Sequence, residues 1–264
     1  GVVKSGVVSP GNYAKTVIDA QRRNAIMRNH TAAHLLQASL REVLGTHVEQ
    51  AGQLVNENEV RFDFTHFNAM TDDELKEVEN KVNEFILGSH KVEMMEMPID
   101  EAKKMGAMML FGEKYGDVVR VVKAGDFSTE FCGGTHVSNS GQLGLFKIVS
   151  EASVASGVRR IIALTGKNVI SYLERQENTV KSLAQVLKTG ENDVVARCES
   201  LVGESKEKDK EIQKLNAELT KLKSADVFSK PVNIDGLELF VAKLDGTTPD
   251  ALRSMGDDVK SSND

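Results

Sequence analysis

The sequence predicts an α+β protein that continues into long helices. Between residues 19 and 166, segments with the alternating apolar pattern of strands outnumber the helical segments. They do not alternate regularly with helices, as the strands of a parallel βαβ sheet do. From residue 167 onward the apolar pattern changes to a period of seven, which is typical of coiled coils.

Composition places the chain among ordinary globular proteins. Hydrophobic residues make up 40% and charged residues 27% of the 264 residues, and 4 Pro with 21 Gly argue against long disordered or collagen-like segments. No apolar run approaches the roughly 18 residues of a membrane span, and the first residues lack the features of a secretion signal. The 33 basic and 39 acidic residues give a net charge of −6, which argues against indiscriminate nucleic-acid binding but allows a local basic site.

Two cysteines, Cys132 and Cys198, are too few for a disulfide framework. They indicate a reducing compartment, where a cysteine is more often a core residue, a metal ligand or a nucleophile. We therefore expect a cytoplasmic protein.

Helices are expected first at residues 19–44, where Gly45 can end the helix, and then at residues 71–87. The second begins with Thr71 and Glu74, which have the spacing of a capping box. A short helix is expected at residues 99–105. The expected strands share an apolar, β-branched character, and they cover residues 60–64, 91–97, 117–122, 144–151 and 158–164.

Residues 167–226 are expected to form an antiparallel helical hairpin. Gly190 lies in a Thr-Gly-Glu-Asn stretch that can end one helix and start the next. One continuous dimerising helix fits the period-seven pattern about as well, and the turn chemistry at Gly190 favours the hairpin. Residues 1–18 alternate Gly and Val in short strand-like pieces, and residues 227–264 are too short for a core of their own. The second segment could also be a small appendage packed on the hairpin. We expect residues 1–18 to end a preceding β domain, and residues 227–264 to be the truncated start of a C-terminal domain.

Two short motifs carry the expected chemistry. His30 and His34 lie four residues apart within the first expected helix, so both imidazoles share one helical face. Cys132 and His136 repeat this separation around Gly133 and Gly134, which permit a tight turn. Three imidazoles and a thiolate suit tetrahedral zinc, so we expect a Zn²⁺ site at these four residues.

Several motifs then support a family resemblance. They occur in this order: RNHTAAHLL (28–36), QAG (50–52), RFDF (61–64), GEKYGD (112–117), CGGTH (132–136) and GVRRI (157–161). Together they resemble the editing region of alanyl-tRNA synthetase, which implies a zinc-containing editing domain at residues 19–166. The helical hairpin and the opening of a C-terminal domain extend the resemblance to the end of the chain. Departures from the family pattern include Ala33, where Thr is usual, and Gln53, where Ser is usual.

The resemblance implies hydrolysis of the ester bond in alanine tRNA that carries serine or glycine by mistake. A site built for alanine discriminates against these amino acids by only ~1–3 kcal/mol, so a second, hydrolytic site corrects the errors. It also implies zinc as the cofactor, tRNA as the partner, and a homodimer formed through regions beyond this segment. ATP-dependent charging is not expected, because the motifs of that domain are absent from this sequence.

The resemblance also directs attention to polar residues near the expected site. Gln50 can donate and accept hydrogen bonds, which suits recognition of the serine hydroxyl or positioning of a water. Alternation in the strand at residues 60–64 places Arg61 and Asp63 on one face, where they could line the site as a catalytic pair or form a plain ion pair. Glu130 is expected to hydrogen-bond a ligating histidine.

Contacts with tRNA are expected to come from local cations. These candidates lie on the first helix, at a turn and on the last strand of the domain: Arg22, Arg23, Lys114, Arg159 and Arg160.

Three questions stay open at this point. The first is whether the metal activates water and substrate, or is bound by four protein ligands and only shapes the pocket. The second is whether the chain is instead a free-standing editing protein. The third is whether it is a non-catalytic, zinc-stabilised tRNA-binding or dimerisation module.

Overall fold

A computed structural model describes residues 2–109, 115–228 and 232–239, with positions 241, 249, 252–253 and 255–257. The chain divides into two compact units, Gly1–Gln176 and Glu177–Asp264. Among the described residues, no helix combines the length and the apolar character that crossing a membrane requires.

The helices and strands are numbered in chain order. The helices are α1 (Ala20–Leu44), α2 (Asp72–Leu87), α3 (Ile99–Lys104), α4 (Lys167–Leu187) and α5 (Val194–Phe228). The strands are β1 (Gln50–Val55), β2 (Val60–Thr65), β3 (Val92–Pro98), β4 (Val118–Ala124), β5 (Ser128–Phe131), β6 (Phe146–Ala155), β7 (Val158–Thr165), β8 (Val232–Ile234) and β9 (Leu237–Leu239).

The first unit contains two antiparallel sheets together with the helices α1, α2 and α3, which confirms the α+β class. One has four strands in the order β1-β2-β7-β6, and the other has three in the order β3-β4-β5. On β2, Val60, Phe62 and Phe64 are fully buried and share the main core with Leu36 and other apolar residues of α1 and α2. The alternation read from the sequence of β2 is therefore the alternation of the folded strand.

The expected helix starts are confirmed by their caps. Asp19 accepts a hydrogen bond from the backbone N–H of Arg22, and α1 ends before Gly45 at a positive φ of 115°. Thr71 and Glu74 form both hydrogen bonds of a capping box at the start of α2. Each of these contacts satisfies backbone groups that a helix end leaves unpaired.

Two strands were missed by the sequence prediction, β1 and β5. β1 is an edge strand whose side chains are exposed or half-buried, and Gly52 lies at an irregularity of its register. β5 has only four residues, and it is positioned by pairing with β4. The residues of these two strands give only a weak strand pattern. They form strands because they pair with a neighbouring strand, and their own composition contributes little.

In the segment after residue 166, the helical prediction is confirmed at the level of elements. α4 ends at Leu187, a short 3-10 turn covers Glu191–Asp193, and α5 begins at Val194. The helix is therefore interrupted near Gly190, as the turn chemistry of that stretch predicted. Antiparallel packing of the two helices stays a prediction.

The assignments of the two ends also stay predictions. Residues 2–18 include no strand among the described positions, contrary to the short strands that the Gly/Val pattern suggested. Part of residues 227–264 lies outside the described residues. Within the described part, at residues 232–239, β8 and β9 form a small antiparallel hairpin.

Candidate metal centre

α1 supplies half of the candidate metal centre. His30 and His34 lie one helical turn apart, and Ala32 and Ala33 between them are buried in the core. Burying this stretch fixes the rotation of α1, so both imidazoles point toward the end of β5. The helical spacing noted in the sequence thus becomes a shared direction.

The loop after β5 supplies the other half. Cys132 directly follows the strand, and its backbone N–H donates to the carbonyl of Arg120 on β4 at 3.0 Å. The Arg120 guanidinium also donates to the carbonyls of Gly133 and Gly134, at 3.0 and 2.7 Å. Arg120 therefore fixes the turn between Cys132 and His136. The sequence around Arg120 did not predict this role.

The two glycines of this turn have different roles. A Cβ at Gly134 would lie 2.0 Å from Cε1 of His30, which is far inside contact distance. A Cβ at Gly133 would meet nothing within 4 Å. Only Gly134 is therefore required by the close approach of the loop to α1.

The four candidate ligands converge on one point. Sγ of Cys132 lies 3.3 Å from Nε2 of His136 and 3.5 Å from Nε2 of His30. One ligand atom from each of His30, His34, Cys132 and His136 lies within 4.8 Å of the others. A sulfur and a nitrogen bound to one tetrahedral zinc are about 3.5 Å apart, so the spacing fits a shared ion.

The outward ring atoms of two histidines are held by other side chains. Nδ1 of His34 donates to the Glu130 carboxylate at 2.5 Å, and the same carboxylate accepts from Oγ of Ser128 at 2.9 Å. Nε2 of His34 is buried and has no hydrogen-bond partner among the described residues. A buried ring nitrogen without a partner, close to three other candidate ligands, marks a position that a metal ion can fill. A carboxylate behind the imidazole is the usual support of a ligating histidine.

His136 is oriented in a similar way. Its Nδ1 lies 3.2 Å from Oγ1 of Thr31, and that hydroxyl also accepts from the backbone N–H of Val137 at 3.3 Å. This arrangement leaves Nε2 of His136 directed at Cys132. The sequence did not indicate this supporting role of Thr31, whereas that of Glu130 was expected.

Electrostatics favour the ligand forms at two of these positions. Burial opposes ionisation of Cys132, but hydrogen bonds with His136 and His30 and the nearby charge of His34 outweigh it and lower the pKa of the thiol to about 3. Burial, with the charges of His34 and His30, lowers the pKa of His136 to about 4. A thiolate and a neutral imidazole are the forms that bind zinc.

His34 differs because a carboxylate lies behind it. Burial disfavours its protonation, but the charge of Glu130 and the neighbouring Cys132 raise the pKa of His34 to about 10. A metal at Nε2 would replace one proton and leave the Nδ1–H donor to Glu130 in place. The four residues thus form a site that can hold a metal ion and is compatible with zinc.

The residues expected to be catalytic lie on the four-stranded sheet. Gln50 is the first residue of β1, opposite Phe64 of β2. Arg61 and Asp63 occupy the positions of β2 that alternate with the buried Val60 and Phe62, so they lie on the face away from the core. The hydrogen bonds among described residues do not join these three side chains to the four ligands, and their catalytic role stays a prediction.

Most of the expected tRNA-binding cations have carboxylate partners. Arg160 donates to both oxygens of Asp63 at 2.6 and 2.7 Å, and this contact lowers the pKa of that carboxyl. Arg159 makes a two-pronged contact with Glu151.

At the start of α1, Nε of Arg22 lies 3.0 Å from Glu57, and Arg23 is exposed. Lys114 lies outside the described residues. The binding role of the five expected cations stays a prediction.

Comparisons with known proteins place these residues in a family context. The family described as the threonyl and alanyl tRNA synthetase second additional domain matches residues 119–162, which include Cys132 and His136. Alanine–tRNA ligase of Acetivibrio thermocellus is 52% identical over 98% of this chain. The enzymes of Alkaliphilus oremlandii and Clostridioides difficile are each 47% identical over 98% of it.

The chain spans about 30% of the length of these relatives. The long match includes both ligand pairs and both helices that follow the sheets. The chain is therefore homologous to a segment of alanine–tRNA ligase that contains the second additional domain shared by the threonyl and alanyl enzymes.

Proposed function

We propose that this chain hydrolyses the ester bond of alanine tRNA mischarged with serine or glycine. The convergence of His30, His34, Cys132 and His136 on one point carries the proposal, because it places a metal site within a segment homologous to alanine–tRNA ligase. The second additional domain is common to two synthetases, which supports an aminoacyl-tRNA as the ligand. We propose that the protein acts in the cytoplasm, with tRNA as its partner and with dimerisation through regions beyond this segment.

Bound zinc would supply charge that orients the amino group or the ester carbonyl of the substrate. If all four protein ligands bind, the tetrahedral site is closed; the metal would then mainly fix the pocket, and an ordered water would attack the ester. The chain's own contribution is a fixed set of ligands, held from behind by Glu130, Thr31 and Arg120. Such support keeps the geometry constant while the substrate binds.

We propose that selection against serine rests on a polar group that meets its hydroxyl. Gln50 is half-buried at the start of β1 and offers both a donor and an acceptor. Alanine lacks the hydroxyl, so a site that gains a hydrogen bond only with serine would spare correctly charged tRNA. Arg61 and Asp63 are proposed to contribute to the polar surroundings, and the five surface cations are proposed to contact phosphates.

Deacylation by the purified chain tests the proposal. Seryl- and alanyl-tRNA for alanine are incubated with the chain, with and without a zinc chelator, and bound zinc is measured in parallel. We expect seryl-tRNA to lose its amino acid at least tenfold faster than alanyl-tRNA, as a difference in transition-state binding of about 1.4 kcal/mol gives. Cys132→Ala is expected to lose both the zinc and the activity.

Cys198→Ala is the matched control, because Cys198 is exposed on α5 and takes no part in the ligand cluster. It should keep both zinc and activity. Full activity of a zinc-free Cys132→Ala protein would remove the metal from the mechanism. Bound zinc and tight tRNA binding without deacylation would instead support a non-catalytic, zinc-stabilised module.

A further inference from the structure

A second polar site lies between the first turns of α1 and α4. It is a cleft of about 340 Å³ within the first unit. Its lining residues are mostly polar: Gln21, Arg22, Asn24, Ala25, Arg28, Glu57, Thr165, Lys167 and Asn168. Three of these side chains are cations and one is a carboxylate, so the cleft is basic although the chain carries a net charge of −6.

Two of the cations have no carboxylate partner. Arg22 pairs with Glu57 at 3.0 Å, whereas Arg28 and Lys167 form no ion pair or hydrogen bond with the described residues. The nearby Asp19 is engaged as the cap of α1. The free positive charge of the cleft therefore comes from Arg28 and Lys167, which lie on different elements.

Gly166 leaves room for the Arg28 side chain because it has no side chain of its own. A Cβ at Gly166 would lie 3.1 Å from Nε of Arg28 and 3.3 Å from the carbonyl oxygen of Leu143, and Gly166 has a positive φ of 54°. The Arg28 side chain thus passes closely over the residue that precedes α4. Arg28 and Lys167 therefore line the same cleft from two different elements.

The cleft is distinct from the metal centre. Gln21, Asn24 and Arg28 recur at intervals of three and four residues, which places them on one face of α1. His30 is two residues beyond Arg28, a rotation of about 200° around the helix, so the metal ligands lie on the opposite face.

The lining chemistry identifies the kind of ligand. The cleft has no aromatic side chain on which a base could stack, and it lacks the apolar walls of a small-molecule pocket. Arginine, lysine and side-chain amides are the donors that proteins direct at backbone phosphates of nucleic acids. We propose that this cleft binds a backbone phosphate of the tRNA, at a distance from the ester that is hydrolysed.

The proposal rests on the proposed function, which supplies the RNA ligand. Because the cleft and the metal centre lie on opposite faces of α1, its contact should strengthen binding and leave the chemical step unchanged. A loss of the contact should then raise KM and the Kd for tRNA, with kcat at saturation preserved.

The test compares the full chain with the double variant Arg28→Gln/Lys167→Gln. The probe is deacylated alanine tRNA labelled at its 5′ end, and the Kd is measured by fluorescence anisotropy over a range of KCl concentrations. We expect the Kd to rise about tenfold, and the slope of log K against log salt to become shallower by about 0.7 to 0.9, as expected for one lost phosphate contact.

Two control variants separate the cleft from general charge and from folding. Arg28→Lys/Lys167→Arg keeps the charges and should keep most of the affinity. Lys103→Gln/Lys104→Gln changes the net charge equally on the exposed α3 and should leave the Kd and the salt slope near their wild-type values. Circular dichroism of each variant should match that of the wild type.

A wild-type Kd and salt slope in Arg28→Gln/Lys167→Gln would overturn the proposal, as would an equal loss in the Lys103/Lys104 control. Loss of inorganic phosphate binding with unchanged tRNA affinity would show a free-anion site and would also overturn it. If the wild type binds tRNA through the cleft and hydrolyses no ester, the proposed function fails and the cleft proposal stands. If the wild type and the Arg28→Gln/Lys167→Gln variant both deacylate seryl-tRNA with the same KM, the proposed function stands and the cleft proposal fails.

Discussion

The metal centre and the helices α4 and α5 are stabilised in different ways. Around the metal centre, hydrogen bonds join residues that are far apart in the chain, such as His34 to Glu130, 96 residues later, and Thr31 to His136, 105 residues later. On α5, the ion pairs join residues within one or two turns, such as Arg197 with Glu204 and Lys210 with Glu207. The first region depends on tertiary packing, and the second depends on local helix formation.

Burial follows the same division. Leu36 on α1 is fully buried in the core, whereas Leu215 and Leu219 on α5 are about half exposed. The apolar residues of α5 thus recur with the period of a packed coiled coil, but their side chains are as exposed as those of surface residues. This difference predicts that substitutions in the two regions have effects of very different size.

The largest expected effect is on the free energy of unfolding. Leu36→Ala removes buried methyl groups and should lower it by about 2–5 kcal/mol. Leu215→Ala, as the matched change on α5, should lower it by less than about 0.5 kcal/mol. Urea unfolding followed by circular dichroism measures both, and comparable losses would show that α5 packs against a partner surface as firmly as α1 does.

A glycine exchange next to the metal centre should have the next largest effect. Gly134→Ala places a Cβ against the His30 ring and should weaken zinc binding about a hundredfold, because the loop must move away from α1. Gly133→Ala meets no atom and should bind zinc like the wild type. Competition with a chromogenic chelator gives both affinities, and equal affinities would contradict the close approach of the loop.

Removing the charge behind His34 should have a smaller effect on the same measurement. Glu130→Gln keeps the size of the side chain but weakens its hydrogen bond to Nδ1, and we expect zinc affinity to fall about tenfold. Glu96→Gln, on the exposed side of β3, is the control. The absorption spectrum of the cobalt-substituted protein should shift only in the Glu130 variant; an unchanged spectrum and affinity would remove Glu130 from the site.

The smallest expected effect is on acid stability. Arg160 holds the pKa of Asp63 below its usual value, so this pair stabilises the fold above pH ~4 and loses its contribution as the pH falls through the lowered pKa. Asp63→Asn should therefore lower the free energy of unfolding in urea slightly at pH 7, by less than about 1 kcal/mol, and hardly at all at pH 2.

Asp126→Asn removes the partner of another ion pair, Lys123–Asp126, whose carboxylate is fully exposed. It should leave the urea midpoint unchanged at both pH values. A loss in Asp63→Asn that is equally large at pH 2 would assign the effect to packing and not to charge.

Much of the fold could be predicted from residue patterns because the patterns reflect local physics. The Thr71–Glu74 capping box, the alternation in β2 and the break near Gly190 follow from backbone hydrogen bonding and side-chain periodicity within a few residues. β1 and β5 were missed because their pairing partners, and not their own composition, make them strands.

In the candidate site, too, local patterns predicted some of the residues and not others. The two pairs of ligands were evident from their types and spacing, since zinc chemistry restricts the choice of side chains. Arg120 and the support that Thr31 gives to His136 could not be predicted, because each acts on a residue brought near by the fold.

Residue patterns alone were enough to predict the α+β class, the main helix starts and the four candidate ligands, because these depend on short-range periodicity and on chemical type. The packed structure was needed to show that the candidate ligands converge, that Gly134 must lack a side chain, and that Arg28 and Lys167 line one basic cleft. Those features arise from contacts between residues about one hundred or more positions apart, and such contacts exist only when the sheets and α1 have packed together.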